Sequence, residues 1–448
     1  MHLTAQDIAD WQPEAASGPG VTPLQRAEAR LRQAGQWQPA QTMGRRFAIG
    51  CVALEITQRC NLDCTLCYLS DMSEAVHDLP LAEVFRRIDM IRDVYGPHTD
   101  VQVTGGDPTL RQRHELVAIV ARIAERGMRP SLFTNGIKAT RSLLAELAAA
   151  GLVDVAFHVD TTQQRRGYNS EVALNDLRAA YIARARGLGL SVLFNTTIHR
   201  GNHHEVPAIV RFFAANADVV RLASFQLQAD TGRGVLVGRP DLLTPDSVAA
   251  AITEGAGGAI RFDVPAIGHR DCNRYAMTLV ANGRVHDMYD SVPIITAVLA
   301  RSAGVQFDRK RPRRAVAALL GFLARNPGLL LRALPWLAAK AWAMRADLAA
   351  GRGRVHKLSF FIHNFMAATA LEPDRVASCS FMVATGDGPI SMCLHNARRD
   401  SFILKPVALA AGAWNPLTGA LAGEPARARR IPPKGRTAIR YVMRHDRA

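Results

Sequence analysis

Short apolar runs alternate with amphipathic stretches between residues 48 and 265, and this alternation predicts the fold. Stretches with helical periodicity, such as Leu81–Val94, Gln112–Arg126 and Ser142–Ala150, separate the apolar runs. Strands that alternate with helices of about 10–15 residues predict βαβ units and a parallel sheet. A partial barrel and a doubly wound sheet share this pattern, so periodicity leaves both open. The predicted strands are Cys51–Thr57, Asp100–Thr104, Pro130–Asn135, Val153–Asp160, Ser191–Ile198 and Val219–Gln226.

The chain of 448 residues is long enough for two domains, or for one barrel with an appendage. We predict an N-terminal extension over residues 1–47, which contains a short helix (Pro23 to Gln36). An α/β domain over residues 48–265 and a C-terminal domain over residues 266–448 follow it.

Three cysteines follow the first predicted strand with the spacing C-x3-C-x2-C: Cys60, Cys64 and Cys67. A loop this short can gather three thiolates around one small object, and cysteine thiolates hold iron–sulfur clusters. Three ligands on a four-iron cluster leave one iron open. Zinc sites usually present four ligands in paired spacings, and no second pair lies nearby. An odd total of seven cysteines without an evident signal peptide argues against a disulfide framework.

The segment Gly105-Gly106-Asp107 follows the second predicted strand. Glycines let a backbone approach a ligand closely, and a carboxylate can accept a charge-assisted hydrogen bond. Alone, this segment would be typical of an ordinary turn.

With the cysteine triplet and the Gly-Gly-Asp segment in this order, the sequence resembles the radical S-adenosylmethionine (SAM) superfamily. The resemblance implies a partial (β/α)6 TIM-type barrel, here followed by a mostly helical C-terminal extension. It implies that Cys60, Cys64 and Cys67 hold a [4Fe–4S] cluster whose fourth iron is chelated by SAM. It further implies an external one-electron donor of flavodoxin or ferredoxin type, and hydrogen abstraction from an unactivated carbon.

The resemblance also assigns candidate SAM-binding residues. Gly105, Gly106 and Asp107 correspond to the family's Gly-Gly-Glu segment, which contacts the SAM amino group. Polar residues at strand ends are expected to contact the methionine and ribose, and we select Asn135, Asp160 and Asn195. We assign nearby His158 to the substrate. Helix capping or loop hydrogen bonding is the structural alternative for each of them.

Cys272, Cys379 and Cys393 lie beyond the predicted barrel, and polar turn residues flank each of them. We predict that they hold an auxiliary [4Fe–4S] cluster, with a fourth ligand from elsewhere or an open iron. Three unconnected thiols are the alternative. The surrounding segments resemble the C-terminal part of archaeal tetraether lipid synthase and its pterin methyltransferase-like relatives. The remaining cysteine, Cys51, is predicted to be a small buried residue.

The formal net charge of +16 and a sequence pI near 10.2 favour anionic partners, although genomic composition alone can produce them. Residues 301–357 hold 13 Lys and Arg against two Asp, interleaved with apolar runs. This pattern predicts basic amphipathic helices that lie at an anionic membrane interface or cover an apolar substrate. A helical pair packed on the barrel is the alternative. No nucleic-acid-binding motif appears, so nucleic acid ranks lower as a partner.

We therefore expect a cytoplasmic radical SAM enzyme with peripheral contact at the inner face of the membrane. The favoured substrate is a small apolar or lipid-like molecule. Alternatives are methylation or rearrangement of a pterin-like heterocycle, modification of a peptide, and a non-enzymatic iron–sulfur protein that binds nucleic acid.

Overall fold

The computed structural model describes residues 2–232, 243–308 and 311–427. Residues 233–242 of the predicted α/β domain lie outside the described residues. So do residues 309–310 and 428–448 of the predicted C-terminal domain. The strands are β1 (Cys51–Thr57), β2 (Asp100–Gly105), β3 (Arg129–Thr134), β4 (Asp154–His158), β5 (Ser191–Ile198), β6 (Val220–Leu227), β7 (Asn273–Ala281), β8 (Arg284–Asp287), β9 (Val355–His363), β10 (Phe381–Ala384), β11 (Pro389–Ser391), β12 (Val407–Leu409), β13 (Gly412–Asn415) and β14 (Ala420–Leu421).

The α-helices precede, separate and follow these strands. They are α1 (Ala5–Asp10), α2 (Pro23–Gln33), α3 (Leu81–Tyr95), α4 (Arg113–Glu125), α5 (Arg141–Ala149), α6 (Asn175–Ala185), α7 (Val206–Ala215), α8 (Pro245–Ala256), α9 (Val292–Arg301), α10 (Pro312–Ala324), α11 (Pro327–Ala343), α12 (Arg345–Ala350), α13 (Pro373–Ala377), α14 (Met392–Ala397) and α15 (Arg399–Ile403).

The six predicted strands are confirmed, and they form one parallel sheet in the order β1 to β6. Helices α3 to α8 connect or follow these strands, as expected for repeated βαβ units. Apolar side chains on the outer face of the sheet and on the helices form one continuous buried core. The chain therefore adopts an α/β fold consistent with the predicted partial barrel of TIM type.

The C-terminal region adds strands to this sheet as well as the predicted helices. Strand β9 pairs in parallel with β6, and β10 pairs in parallel with β1. Antiparallel strands then extend both edges, with β7 and β8 beyond β9 and β11 beyond β10. The sheet therefore crosses residue 265, and the division of the chain at residues 47 and 265 stays a prediction.

Aromatic packing joins the two ends of the row of parallel strands. β10 and β9 lie at opposite ends of this row. When the strand pairings are followed from β10 through β1 to β6 and on to β9, Phe381 of β10 is level with the beginning of β9. Its ring nevertheless packs against Phe361 and His363, near the other end of β9, with ring centres 5.8 and 4.7 Å apart. Such an offset is the stagger that tilted strands acquire when a sheet curls into a barrel. We call this junction of β9 and β10 the seam.

Candidate active site

The cysteine loop, residues 60–67, follows β1 and lies at the carboxyl ends of the strands. Cys60, Cys64 and Cys67 are not joined by disulfide bonds, and all three residues are partly exposed. Burial, and then the neighbouring thiols of Cys67 and Cys60, raise the pKa of Cys64 well above its ordinary value. The Cys60 sulfur also accepts a hydrogen bond from the backbone N–H of Leu62 at 3.5 Å. The structure thus brings the three predicted ligands together.

Two glycines pack beneath the start of this loop. A Cβ atom at Gly105, where φ is +130°, would lie 1.9 Å from the carbonyl oxygen of Thr57. A Cβ atom at Gly106 would lie 2.1 Å from the carbonyl oxygen of Arg59. The N–H groups of Gly106 and Asp107 donate to these same two carbonyls at 2.9 and 2.8 Å. Only glycine allows the end of β2 to approach the loop so closely.

The carboxylate of Asp107 is fully buried and already hydrogen bonded. It accepts from the backbone N–H groups of Asn135 and Thr109, at 2.8 and 2.9 Å, and from the hydroxyls of Thr109 and Thr134. Burial raises the pKa of Asp107, against the opposing effect of these hydrogen bonds. The side chain therefore ties the segment after β2 to the end of β3, and the predicted contact with the SAM amino group stays a prediction.

Further hydrogen bonds connect the cysteine loop to the ends of β3 and β4. The amide nitrogen of Asn135 donates to the side chain of Asn61 at 2.7 Å and lies 3.9 Å from the Cys60 sulfur. The N–H of Thr65 donates to the carbonyl of Thr162 at 2.9 Å. Of the three selected strand-end residues, Asn135 thus reaches the cysteines themselves.

An ion pair lies at the end of β4, where the Asp160 carboxylate is fully buried and the His158 side chain is 34% exposed. The ring nitrogen Nε2 of His158 is 2.6 Å from the Asp160 carboxylate, which also accepts from the N–H of Thr197 at 2.8 Å. Burial lowers the pKa of His158, but the charge and hydrogen bond of Asp160 outweigh it and raise that pKa above its ordinary value. Burial raises the pKa of Asp160, but His158 and hydrogen bonds hold it well below the usual range. The Asp160 carboxylate also accepts from the N–H of Thr162, whose carbonyl accepts from Thr65, so the pair lies near the cysteine loop.

Asn195 is the partner of His158 in the register between β4 and β5. Its side chain is buried, donates to the Gln226 side chain at 3.3 Å and accepts from the Ser224 hydroxyl at 2.9 Å. These contacts form a polar band across the inner faces of β4, β5 and β6. The structure therefore groups Asn195 with His158 rather than with the cysteines.

The structure also brings together the C-terminal thiol group, Cys272, Cys379 and Cys393, although these cysteines lie far apart in sequence. Burial raises the pKa of Cys272 to about 11, with Cys379 contributing to the rise and Arg375 opposing it. Burial, followed by the thiols of Cys379 and Cys272, raises the pKa of Cys393. The guanidinium of Arg375 donates to the Cys272 sulfur at 3.2 Å, and the N–H of Met366 donates to the Cys393 sulfur at 3.4 Å.

In the described part of the chain, no three His, Cys, Asp or Glu side chains are close enough to hold one metal ion. A closed zinc centre needs its ligands about 2.0–2.3 Å from a single atom, whereas a cluster binds thiolates through separate irons. Zinc binding and cluster binding therefore require different arrangements of the thiols.

Aromatic side chains line the inner face of the seam. The ring centres of Phe361 and His363 are 4.1 Å apart, and those of His363 and Phe365 are 5.6 Å apart. Tyr275 packs against Phe361 at 5.7 Å, and Phe381 meets three of the rings edge-on. Burial lowers the pKa of His363 to about 3, so its ring is neutral near pH 7. We call these five residues the aromatic row.

Sequence analysis missed a buried cluster that couples the C-terminal region to the cysteine loop. Arg399 donates to both carboxylate oxygens of Glu55 in β1, at 2.7 and 2.9 Å. Its guanidinium also lies 4.7 Å from the ring centre of Tyr68, whose hydroxyl donates to the carbonyl of Gly105. The available signal was the carboxylate of Glu55 within an otherwise apolar strand, because buried charges require partners.

Residues 54–213 match the family model described as "Radical SAM superfamily". The chain therefore carries a radical SAM domain, as the sequence resemblance predicted, and proteins of this family use a [4Fe–4S] cluster and SAM.

Curated relatives are similar to the chain over part of their length. The 7,8-dihydro-6-hydroxymethylpterin dimethyltransferase of Methanocaldococcus jannaschii is 31% identical over 190 residues, covering 40% of this chain and 36% of the relative. The GTP 3′,8-cyclase of Erythrobacter litoralis is 31% identical over 182 residues, covering 38% and 52%. The PqqA peptide cyclase of Bradyrhizobium diazoefficiens is 30% identical over 203 residues, covering 43% and 50%. The chain thus spans about half or less of these relatives.

Among solved structures, Streptococcus suis SuiB bound to S-adenosylmethionine is 15% identical, with a TM-score of 0.34 and coverage of 48% of this chain and 47% of that one. The FeFe-hydrogenase maturase HydG of Carboxydothermus hydrogenoformans is 12% identical, with a TM-score of 0.37 and coverage of 52% and 56%.

The close contact between Gly106 and the Arg59 carbonyl predicts that a methyl group added at Gly106 destabilises the fold. Gly106→Ala places a Cβ against the Arg59 carbonyl, so we expect a loss of about 1–3 kcal/mol in the free energy of unfolding. Denaturant unfolding measures this loss. Gly258→Ala is the matched control, because nothing lies within 4 Å of its Cβ position and it should cost under about 1 kcal/mol. Equal stability of the two variants would contradict the packing.

The His158–Asp160 pair predicts a pH-dependent contribution to stability. Because the folded pKa of His158 lies above its ordinary value, the contribution is complete below about pH 6.5 and is lost as pH rises through the folded pKa. The difference in unfolding free energy between the wild type and His158→Gln should therefore shrink with rising pH. In an Asp160→Asn background this trend should disappear. A difference that grows with pH would contradict the ion pair.

Proposed function

We propose that this chain is a radical SAM enzyme that cleaves S-adenosylmethionine reductively and abstracts hydrogen from an unactivated carbon of an apolar, lipid-like substrate. The observation that carries this proposal is the gathering of Cys60, Cys64 and Cys67 on one partly exposed loop at the strand ends of a barrel. The match of residues 54–213 to the radical SAM family supports the same chemistry.

In this proposal the three cysteine thiolates hold a [4Fe–4S] cluster and leave one iron open to SAM. A bound cluster, reduced by an external donor of flavodoxin or ferredoxin type, would supply the electron needed to split SAM into methionine and a 5′-deoxyadenosyl radical. Asn135 borders the cysteines, so we assign it to the SAM end of the site. We assign Asp160 to orienting the His158 ring. We assign Asn195 to orienting the neighbouring Gln226 side chain, to which it donates a hydrogen bond.

The segment of Gly105, Gly106 and Asp107 positions the loop and presents backbone groups to the SAM amino group. Because the Asp107 carboxylate already accepts hydrogen bonds from three residues, its contribution to SAM binding is proposed to be indirect. The aromatic row supports an apolar substrate, since it offers several rings and its one histidine, His363, is neutral near pH 7.

Methylation or rearrangement of a pterin-like heterocycle is the second candidate. The rings of His363 and Phe365 lie nearly parallel, with 9° between their planes, so this wall could also stack a flat ring. One similar protein is named as a pterin dimethyltransferase. Another is named as a peptide cyclase, and modification of a peptide remains the third candidate.

We further propose that Cys272, Cys379 and Cys393 hold an auxiliary [4Fe–4S] cluster at the seam. Cys272 precedes β7, Cys379 precedes β10, and Cys393 lies in α14, so three separate segments converge there. Mutual effects on pKa support the proximity of the thiols. The N–H donors of Arg375 and Met366 would stabilise sulfur ligands by hydrogen bonding.

The proposed reaction is tested by anaerobic reconstitution, reduction and incubation with SAM. The wild type should form 5′-deoxyadenosine, measured by liquid chromatography, whereas Cys64→Ala should lose at least about 100-fold because the cluster lacks a ligand. Cys51→Ala is the matched control, since this buried cysteine belongs to β1 and not to the loop. An intact cluster that never cleaves SAM would instead favour a non-enzymatic iron–sulfur protein.

The auxiliary site is tested by iron content. After reconstitution, the triple variant Cys60→Ala, Cys64→Ala, Cys67→Ala should retain about four irons per chain if a second cluster is present. Adding Cys272→Ala and Cys379→Ala should remove that iron. If the triple variant binds no iron, the proposal of an auxiliary cluster is contradicted. The proposal of a first cluster at the cysteine loop is not affected by that result.

A further inference from the structure

Helices α10 and α11 form a hairpin, residues 312–343, whose apolar side chains are unusually exposed. Of the fifteen large hydrophobic residues that are exposed in the described part of the chain, seven belong to this hairpin. They are Val316, Leu319, Leu320, Leu331, Leu334, Leu337 and Trp342, and they are 38–68% exposed. Exposed apolar residues concentrated in one element indicate an interaction surface.

The hairpin is attached to the barrel through few contacts. Among the hairpin side chains that are described, only Phe322, Leu329 and Ala333 are buried. Polar contacts hold α11 to the region after β8, because the Trp336 indole donates to the carboxylate of Asp290 at 2.7 Å and Lys340 pairs with the same carboxylate. The exposed residues therefore do not form the packing face of a helical pair on the barrel.

The exposed residues follow helical spacing. Val316, Leu319 and Leu320 are three and four positions apart on α10, so they share one face of that helix. On α11, Leu331 and Leu334 are likewise three positions apart, and Trp342 lies eleven positions, about three turns, beyond Leu331 on the same side. Each helix thus presents a continuous apolar stripe.

The charge of the hairpin has one sign. Residues 312–343 contain five Lys and Arg and no Asp or Glu, and residues 301–357 contain 13 basic residues against two acidic ones. Arg345 stacks on Trp342, with its guanidinium carbon 4.2 Å from the ring centre. An aromatic ring with a bound guanidinium is typical of side chains at the boundary between lipid and water.

We propose that this hairpin binds the surface of an anionic phospholipid bilayer. Leucine and tryptophan side chains would enter the boundary between headgroups and acyl chains, while the basic residues would contact lipid phosphates. A second copy of the chain fits less well, because two hairpins without acidic residues repel each other.

The helix geometry favours binding to the bilayer surface over crossing the bilayer. No single described helix is long and apolar enough to cross a bilayer, although α10 and α11 together pass on length and composition with a bend of 118°. At 1.5 Å per residue, helices of 13 and 17 residues are about 20 and 26 Å long, which is less than a hydrocarbon core of about 30 Å.

Vesicle flotation with the full-length, reconstituted protein tests this inference. The wild type should float with vesicles of phosphatidylcholine and phosphatidylglycerol, and binding should fall with rising salt. The double variant Leu320→Glu, Leu331→Glu should bind at least about tenfold more weakly. Both side chains are more than 60% exposed, so the variant should fold normally, and its thermal unfolding is the check.

A matched control carries the same change at exposed apolar sites elsewhere, Val172→Glu and Leu417→Glu, which are 49% and 45% exposed. The control should float like the wild type. The proposal fails if the hairpin variant floats as well as the control, or if vesicles of phosphatidylcholine alone bind equally at every salt concentration. It also fails if light scattering shows a dimer that the hairpin variant abolishes. None of these outcomes depends on SAM cleavage.

Discussion

The close contact of Gly105 and Gly106 with the backbone of residues 57–59 is the constraint on which the candidate site depends. It fixes where the chain leaves β1, because two carbonyls of this segment accept hydrogen bonds from the end of β2. The cysteine loop begins at that point, so its thiols are held over the strand ends. The glycines therefore act on the site indirectly, by positioning the cysteine loop. The Gly-Gly-Asp segment thus has a structural role in addition to the proposed contact with the cofactor.

The seam is the second organising feature, and it links the two proposed cluster sites to the C-terminal region. Aromatic packing between β9 and β10 joins the ends of the parallel row, and the C-terminal thiol group converges beside it. The same region contributes Arg399, which pairs with Glu55 inside the barrel and stacks on Tyr68 next to Cys67. The rings of Tyr275 and Tyr289 also contact each other near Trp336 of the hairpin, so apolar contacts extend from the barrel to the proposed membrane surface.

Local patterns in the sequence were sufficient for β1 to β6 and for the cysteine loop. Each of these strands is an apolar run bounded by turn residues, and the triplet has its own spacing. Strands β9 and β10 were not predicted, because β9 contains charged and polar residues at its start and β10 has only four residues. Their positions depend on pairing with β6 and β1, which lie far away in sequence. The contact between Glu55 and Arg399 spans 344 positions, and no local pattern encodes such a partner.

The proposed chemistry requires that one iron at the cysteine loop is left without a protein ligand and takes SAM. Electron paramagnetic resonance of the reduced protein, with and without SAM labelled at its amino nitrogen or carboxylate oxygen, detects this bond. We expect SAM to change the cluster signal and to show hyperfine coupling to the label, both lost in Cys64→Ala. A reduced cluster whose signal is the same with and without SAM, and shows no coupling, would contradict it.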